Sequence, residues 1–316
     1  MRLLEYTARP RAPYAFTPHL ERFGIPGEPT PHVYEARGRS CRRLVLAGGE
    51  PVAVKSFFEG EPDDPHVRVA VYARSEDLAG RVTGQVFKSL RVDFDYNEFL
   101  EAVKPYDAIY RLALKYRGLR PGRSFSLYEA LVDSIVKQRV ALKAALRVMA
   151  RLTRAYGIEL SVGGESFHSF PIAERLAEAI LEELRGYGLT RLKAKALREV
   201  AVREAEGSLP SVEEAIGDPE LTVKELTRIR GVGRWTAELS VAIVHPRFPL
   251  GPSTDLAVTR GLKLLLGLEV RPGELRGALG DYAGLVMYLA AFDYEELKKA
   301  KYRAQRNRLK SKSKGM

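Results

Sequence analysis

The chain has 316 residues, 45% hydrophobic and 29% charged, with a formal net charge of +11. That is globular material for two or three compact units, with no apolar run near the roughly 20 residues of a bilayer span. The single cysteine, Cys41, excludes an internal disulfide, a cysteine-only zinc site and a four-cysteine iron–sulfur cluster within one chain.

The opening MRLLEYTARPRAPYAF has no apolar h-region, so a cytoplasmic protein is expected. Short runs rich in Val, Leu, Phe and Tyr follow at Arg43–Ala47, Pro51–Phe58 and His66–Ala73, punctuated by AGGEP and EGEPDDP. They predict antiparallel strands. Ser75–Leu90 then has a helical period, which makes residues 1–95 a small α+β domain.

From about Asp95 the strand signal vanishes. Apolar residues at helical spacing recur over 127–156, 173–184, 191–206, 212–216, 226–229, 235–244, 255–266 and 275–292, with Gly and Pro between the segments as stops and starts. The prediction is a mainly α chain, with a helical array of about ten elements over 96–297. The last stretch, Lys298–Lys314, holds nine basic residues and no acid, which leaves only +2 for the rest. A polyanionic partner is the natural suspicion. The tail either grips DNA phosphates non-specifically or is a disordered solubilising end. Side-chain amides are confined to Asn97, Asn307, Gln85, Gln138 and Gln305, a bias that fits a hot habitat.

The most informative stretch is LTRIRGVGRWTAELSVAIV, Leu226–Val244. Gly231-Val232-Gly233 cannot cheaply continue a helix, so two helices meet in a tight turn whose backbone can approach a ligand. Amides at the start of the second helix point outward and its dipole favours an anion; Arg234 adds positive charge. Taken alone, a G-x-G corner is more often a plain helix–turn–helix. Twenty residues after Trp235 comes Asp255, in FPLGPSTDLAVTRGL. Ser253 or Thr254 can cap the next helix, placing Asp255 in its first turn. An acid there complements the dipole; equally, helix-end amides keep a carboxylate ionised, ready to stabilise a sugar cation or orient water.

Gly231, Gly233 and Asp255, at this spacing, resemble the helix-hairpin-helix (HhH-GPD) DNA glycosylase superfamily. FSLYEALVDSIVKQRVALKAALRVMARLTRAYG and SFPIAERLAEA with LRGYGLTRLKAKALREVA look like the DNA-3-methyladenine glycosylase II group. The likeness covers roughly 124–292. It implies a helical core in two subdomains around a cleft, with the hairpin at 224–245 and a second subdomain from 96–126 plus 248–297. It also implies a cytoplasmic, nucleoid-associated monomer acting on double-stranded DNA that carries a damaged base. Gly231, Val232, Gly233, Arg234 and Thr236 would hold phosphates, and Asp255 would be the catalytic carboxylate. The Gln138–Arg139 corner would face the gap left by the flipped base. No redox or nucleotide cofactor is implied, though the carbonyls of Thr227, Ile229 and Val232 would bind a monovalent cation when DNA is present.

Two departures stand out. Arg139 occupies a position where relatives often carry an apolar wedge, and Ala278-Leu279-Gly280-Asp281-Tyr282 replaces a Pro-Trp-Arg segment, so an aromatic pocket wall is missing or supplied elsewhere. Trp235 stands where bifunctional members have the lysine that forms a Schiff base. It is read as a base-pocket wall rather than a core anchor, and the expected reaction is base removal without strand cutting. Lys224 reads as a solvated helix position and His245 as a surface residue. The alternatives are an 8-oxoguanine-type glycosylase/lyase, a non-catalytic DNA-binding hairpin module and a basic DNA-coating protein.

Overall fold

The computed structural model describes residues 1–30, 32–267 and 272–313. In chain order the elements are β1 (Arg2–Ala8), α1 (Thr17–Phe23), β2 (Val33–Glu35), β3 (Ser40–Ala47), β4 (Glu50–Glu61), β5 (Asp64–Ala73), α2 (Glu76–Leu90), α3 (Tyr96–Val103), α4 (Asp107–Lys115), α5 (Leu127–Lys137) and α6 (Leu142–Tyr156). They continue with β6 (Glu159–Val162), β7 (Glu165–His168), α7 (Ala173–Ala177), α8 (Leu181–Gly186), α9 (Arg191–Ala205), α10 (Val212–Gly217), α11 (Pro219–Leu226) and α12 (Arg234–Val244). Last come α13 (Leu256–Leu266), α14 (Pro272–Leu279), a 3-10 turn at Gly280–Tyr282, and α15 (Ala283–Ser313).

The three predicted strands are β3, β4 and β5, the centre of an antiparallel sheet ordered β1-β5-β4-β3-β2. Helix α2 covers it. Ser75 caps α2 by accepting from the Leu78 amide, and Leu78, Val82, Val86 and Leu90 bury one stripe at four-residue spacing. The fold is thus mainly helical with a small N-terminal α+β unit, as the patterning indicated.

Three local expectations fail, and the basic tail, left open between a DNA grip and a disordered end, is helical. Strands do not end at Asp95: Gly163 and Gly164, both at positive φ, turn the β6–β7 hairpin. It docks on the N-terminal sheet, where Arg42 Nε donates to the Ser166 carbonyl at 2.8 Å and Lys55 pairs with Glu165 at 2.5 Å. Residues 227–229 are turn, not helix, because α11 stops at Leu226. The 275–292 segment breaks at Gly280, whose φ is +50°. Finally, backbone helix runs unbroken from Ala283 through Lys298 to Ser313, so the basic segment continues α15 as far as it is described; residues 314–316 lie outside the described residues.

Three large apolar cores form among the described residues, beside a small cluster of Leu44, Ala53 and Phe167 under the β6–β7 hairpin. One is built on α5, α6, α9 and α12, the second on α3, α4 and α13–α15, and the third inside the N-terminal unit. Two buried arginines fasten them together. Arg91, the left-handed cap of α2, donates to the carbonyls of Pro121 (2.9 Å), His245 (2.8 Å) and Pro246 (2.7 Å) and lies 4.3 Å from the centre of the Phe248 ring. Arg120 donates to the carbonyls of Phe94 (2.8 Å), Gly118 (3.1 Å) and Pro13. Among the described residues neither makes a salt bridge. Carbonyl dipoles and aromatic faces replace the water these cations lose.

Candidate active site

A cavity of about 360 Å3 opens where the three cores meet. Trp235 and Asp255 line one side. Asp255 is itself the N-cap of α13, not a first-turn residue, because its φ/ψ (−70°/130°) is still extended. Its Oδ1 accepts from the amides of Ala257 (2.8 Å) and Val258 (3.1 Å), and Oδ2 accepts from the Trp235 indole N–H at 2.9 Å. Three N–H donors therefore fix the carboxylate's orientation. Trp235 is half-buried at the cavity wall.

Ser253 does not cap α13. Its amide and hydroxyl donate to the buried Glu238 carboxylate on α12, at 2.7 Å each, and Arg234 Nε donates to the same carboxylate at 2.7 Å. Glu238 thus ties the loop before Asp255 to the helix that carries Trp235. On the other flank, Gly284 of α15 lets that loop approach closely: a Cβ there would sit 2.1 Å from the Leu250 carbonyl oxygen.

The hairpin turn joins α11 to α12. Gly231 has φ +94°, and an added Cβ would lie 2.8 Å from Ala196 Cβ on α9. Gly233 is different: it N-caps α12 with φ −86° and open space around it, and no side chain caps that helix start. Val232 is buried and Arg234 exposed. Thr236 was expected on phosphates, but its side chain is enclosed at 2% exposure, where the hydroxyl accepts from Gln138 Nε2 at 2.8 Å. Gln138 Nε2 also donates to the Gly231 carbonyl at 2.9 Å. The corner between α5 and α6 is therefore bonded to the hairpin. Arg139 next to it is exposed and left-handed (φ +51°), a sparsely populated conformation for a residue with a side chain. Thr227 and Ile229 sit in the turn after α11, where the Ile229 carbonyl accepts from the Val232 amide at 3.0 Å.

Residues 132–279 match the family described as HhH-GPD superfamily base excision DNA repair protein. The match takes in most of the helical core, a little under half of the chain, and is a similarity to that superfamily. DNA-3-methyladenine glycosylase 2 of Escherichia coli is 35% identical over 41% of this chain and 45% of its own length. DNA-3-methyladenine glycosylase 1 of Schizosaccharomyces pombe is 29% identical over 52% of this chain and 70% of its own length. The solved 3-methyladenine DNA glycosylase of Archaeoglobus fulgidus superposes with a TM-score of 0.78 at 24% identity, covering 91% of this chain and 98% of that one, so it shares the fold.

The aromatic wall of the cavity comes from segments that sequence reasoning passed over. His19 and Phe23 of α1 enter the cavity from the N-terminal unit, and Tyr288 and Phe292 from α15. The Phe23 and Tyr288 ring centres are 6.5 Å apart, and those of Tyr288 and Phe292 6.0 Å apart. Tyr282 instead packs on Phe99 in the second core. The available signal was Thr17-Pro18 opening a helical face with His19 and Phe23 four apart. Val140, beside Arg139, is 46% exposed and lines the cavity rim, so an apolar side chain does stand at this corner. Lys224 is exposed. His245 is not a surface residue: at 7% exposure its ring accepts from the Arg247 amide at 3.0 Å, and burial lowers its pKa. Among the described residues no helix is long and apolar enough to cross a membrane.

Proposed function

We propose that this chain is a monofunctional DNA glycosylase of base excision repair. It flips a damaged purine, alkylated or deaminated, out of duplex DNA and hydrolyses its N-glycosidic bond. The observation that carries the reading is the Asp255 carboxylate, oriented at the cavity wall by three N–H donors, one of them from Trp235 where a lyase needs an amine.

As the base departs with the electron pair of the C1′–N bond, positive charge develops on the sugar. Asp255 stabilises that cation, water attacks C1′ and loses a proton, and an abasic site remains on an uncut strand. Trp235 and the aromatic wall receive the base. The α12 start, with backbone from Gly231 to Thr236 and the Arg234 charge, holds phosphates. The carbonyls of Thr227, Ile229 and Val232 are the positions for a monovalent cation on DNA binding. Arg139 and Val140 fill the gap in the stack. The protein acts as a monomer on chromosomal DNA in the cytoplasm, with no redox or nucleotide cofactor.

The test incubates wild type and Asp255→Asn with duplexes carrying single lesions, read with and without alkali. Cleavage only after alkali, lost in the variant, supports the reading. Cleavage without alkali, with a borohydride-trapped adduct, points to a lyase. The cavity amine to examine would then be Lys137, which is paired with Asp133. DNA binding without excision of any lesion points to a binding module.

A further inference from the structure

The aromatic wall contains one polar arrangement that the chemistry above does not use. His19 bridges two groups: its Nε2 is 3.1 Å from the Gly122 amide nitrogen and its Nδ1 is 3.0 Å from the Tyr288 hydroxyl. A backbone amide can only donate, so Nε2 must be the unprotonated nitrogen. A neutral ring then carries its proton on Nδ1 and donates it to Tyr288. Burial supports the neutral ring by lowering the His19 pKa to about 3, and the nearby Lys137, Arg91 and Arg22 act in the same direction. The Tyr288 oxygen is thus occupied as an acceptor, and its own hydrogen is left over. Among the described residues no acceptor takes it, and Tyr288 lines the cavity.

We propose that Tyr288, held in this polarity by His19 and Gly122, donates a hydrogen bond to a carbonyl oxygen of the flipped base, so that oxopurines such as hypoxanthine and 7-methylguanine are the favoured substrate class. The inference rests on the glycosylase reading and deepens it. A donor aimed into a mostly aromatic, apolar pocket rewards a base that brings an acceptor. It penalises one that presents an amino group there, because two donors then face each other and one stays unpaired. Tyr288 is the specificity residue; His19 is a positioning residue that acts through it.

The side chain of glutamine reproduces the polarity of this histidine, with a carbonyl to accept from Gly122 and an NH2 to donate to Tyr288. The full chain and its Tyr288→Phe, His19→Leu and His19→Gln variants are incubated with methylated DNA, which offers 7-methylguanine and 3-methyladenine together, and with an inosine-containing duplex. Released bases are quantified under single-turnover conditions.

Tyr288→Phe and His19→Leu are expected to lower the ratio of oxopurine to 3-methyladenine release about tenfold, since the donor that favours one and opposes the other is removed or free to turn. His19→Gln is expected to keep that ratio within about threefold of wild type. An unchanged ratio in Tyr288→Phe or His19→Leu, or a His19→Gln ratio as low as that of His19→Leu, overturns the inference. So does a wild type that releases 3-methyladenine and no oxopurine, although that result leaves the glycosylase reading intact. A wild type that releases no base at all defeats the glycosylase reading itself.

Discussion

Replacing Glu238 by alanine separates bracing of the catalytic loop from catalysis proper. Its carboxylate, 6% exposed, accepts from the Ser253 amide, the Ser253 hydroxyl and Arg234 Nε. The Arg234 side chain is 71% exposed and can return to water, so its bond counts for little. The two Ser253 bonds are made to an enclosed charge, and at roughly 1.5–2 kcal/mol each their loss comes to about 3–4 kcal/mol. For a chain of this size that is a fall in Tm of about 5–6 °C. Ser253 lies two residues before Asp255, and a displacement of about 1 Å at a reacting group costs on the order of 100-fold in rate. Glu238→Gln keeps one acceptor oxygen and should lose about half as much stability. Differential scanning fluorimetry gives the Tm, and single-turnover excision at a temperature where both variants are folded gives the rate. A Glu238→Ala protein that melts within about 1 °C of wild type and excises within about twofold of it would refute the bracing argument.

Other expectations follow from the same geometry. Asp255→Asn keeps the cap acceptor for Ala257 and Val258 but turns an NH2 toward the Trp235 indole N–H; excision should fall by about 100-fold or more while Tm and DNA affinity change little, the latter read by fluorescence anisotropy. Trp235→Phe keeps a ring but removes the indole donor, and single-turnover excision should drop about tenfold. Gly231→Ala should cost about 1–3 kcal/mol in urea unfolding, since it combines positive φ with the close approach to Ala196, whereas Gly233→Ala should stay within about 0.5 kcal/mol. His19 and His32 both have folded-state pKa values lowered by burial from 6.5 to about 3. Between pH 6.5 and 3 the unfolded chain binds protons that the folded chain refuses, so their contribution to stability is lost as pH falls through that window. Thermal melts at pH 7, 5 and 4 should show a shallower decline for His19→Gln than for wild type.

Periodicity and punctuation by themselves determined the mainly helical class, the three central strands, α2, and the hairpin with Asp255 beyond it. These are local properties: a two-residue or 3.6-residue apolar rhythm and a glycine-bounded turn are visible within a dozen residues. The β6–β7 hairpin was equally legible, as alternation around Gly163-Gly164, but four-residue strands inside a helical array are easily read through. Gly280 interrupts the helical rhythm between 275 and 292, yet one glycine in a pattern does not say whether a helix bends or stops.

The candidate site was only half legible. Asp255, Trp235 and the Gly231 turn lie within 25 residues of one another, and their spacing carries the signal. The indole-to-carboxylate bond that joins two of them depends on how α12 crosses the loop before α13. The aromatic wall joins residues 19 and 23 to residues 288 and 292, and Gln138 reaches Gly231 and Thr236 across 93 and 98 positions. His245 was misjudged for the same reason: a polar residue at a helix end looks solvent-facing until a distant segment covers it. Sequence by itself determined which elements form, because backbone propensity and apolar period act over one or two turns. Which side chains meet was decided only by the tertiary structure, because packing of the three cores and the carbonyls gathered by Arg91 and Arg120 bring together residues that no local pattern links.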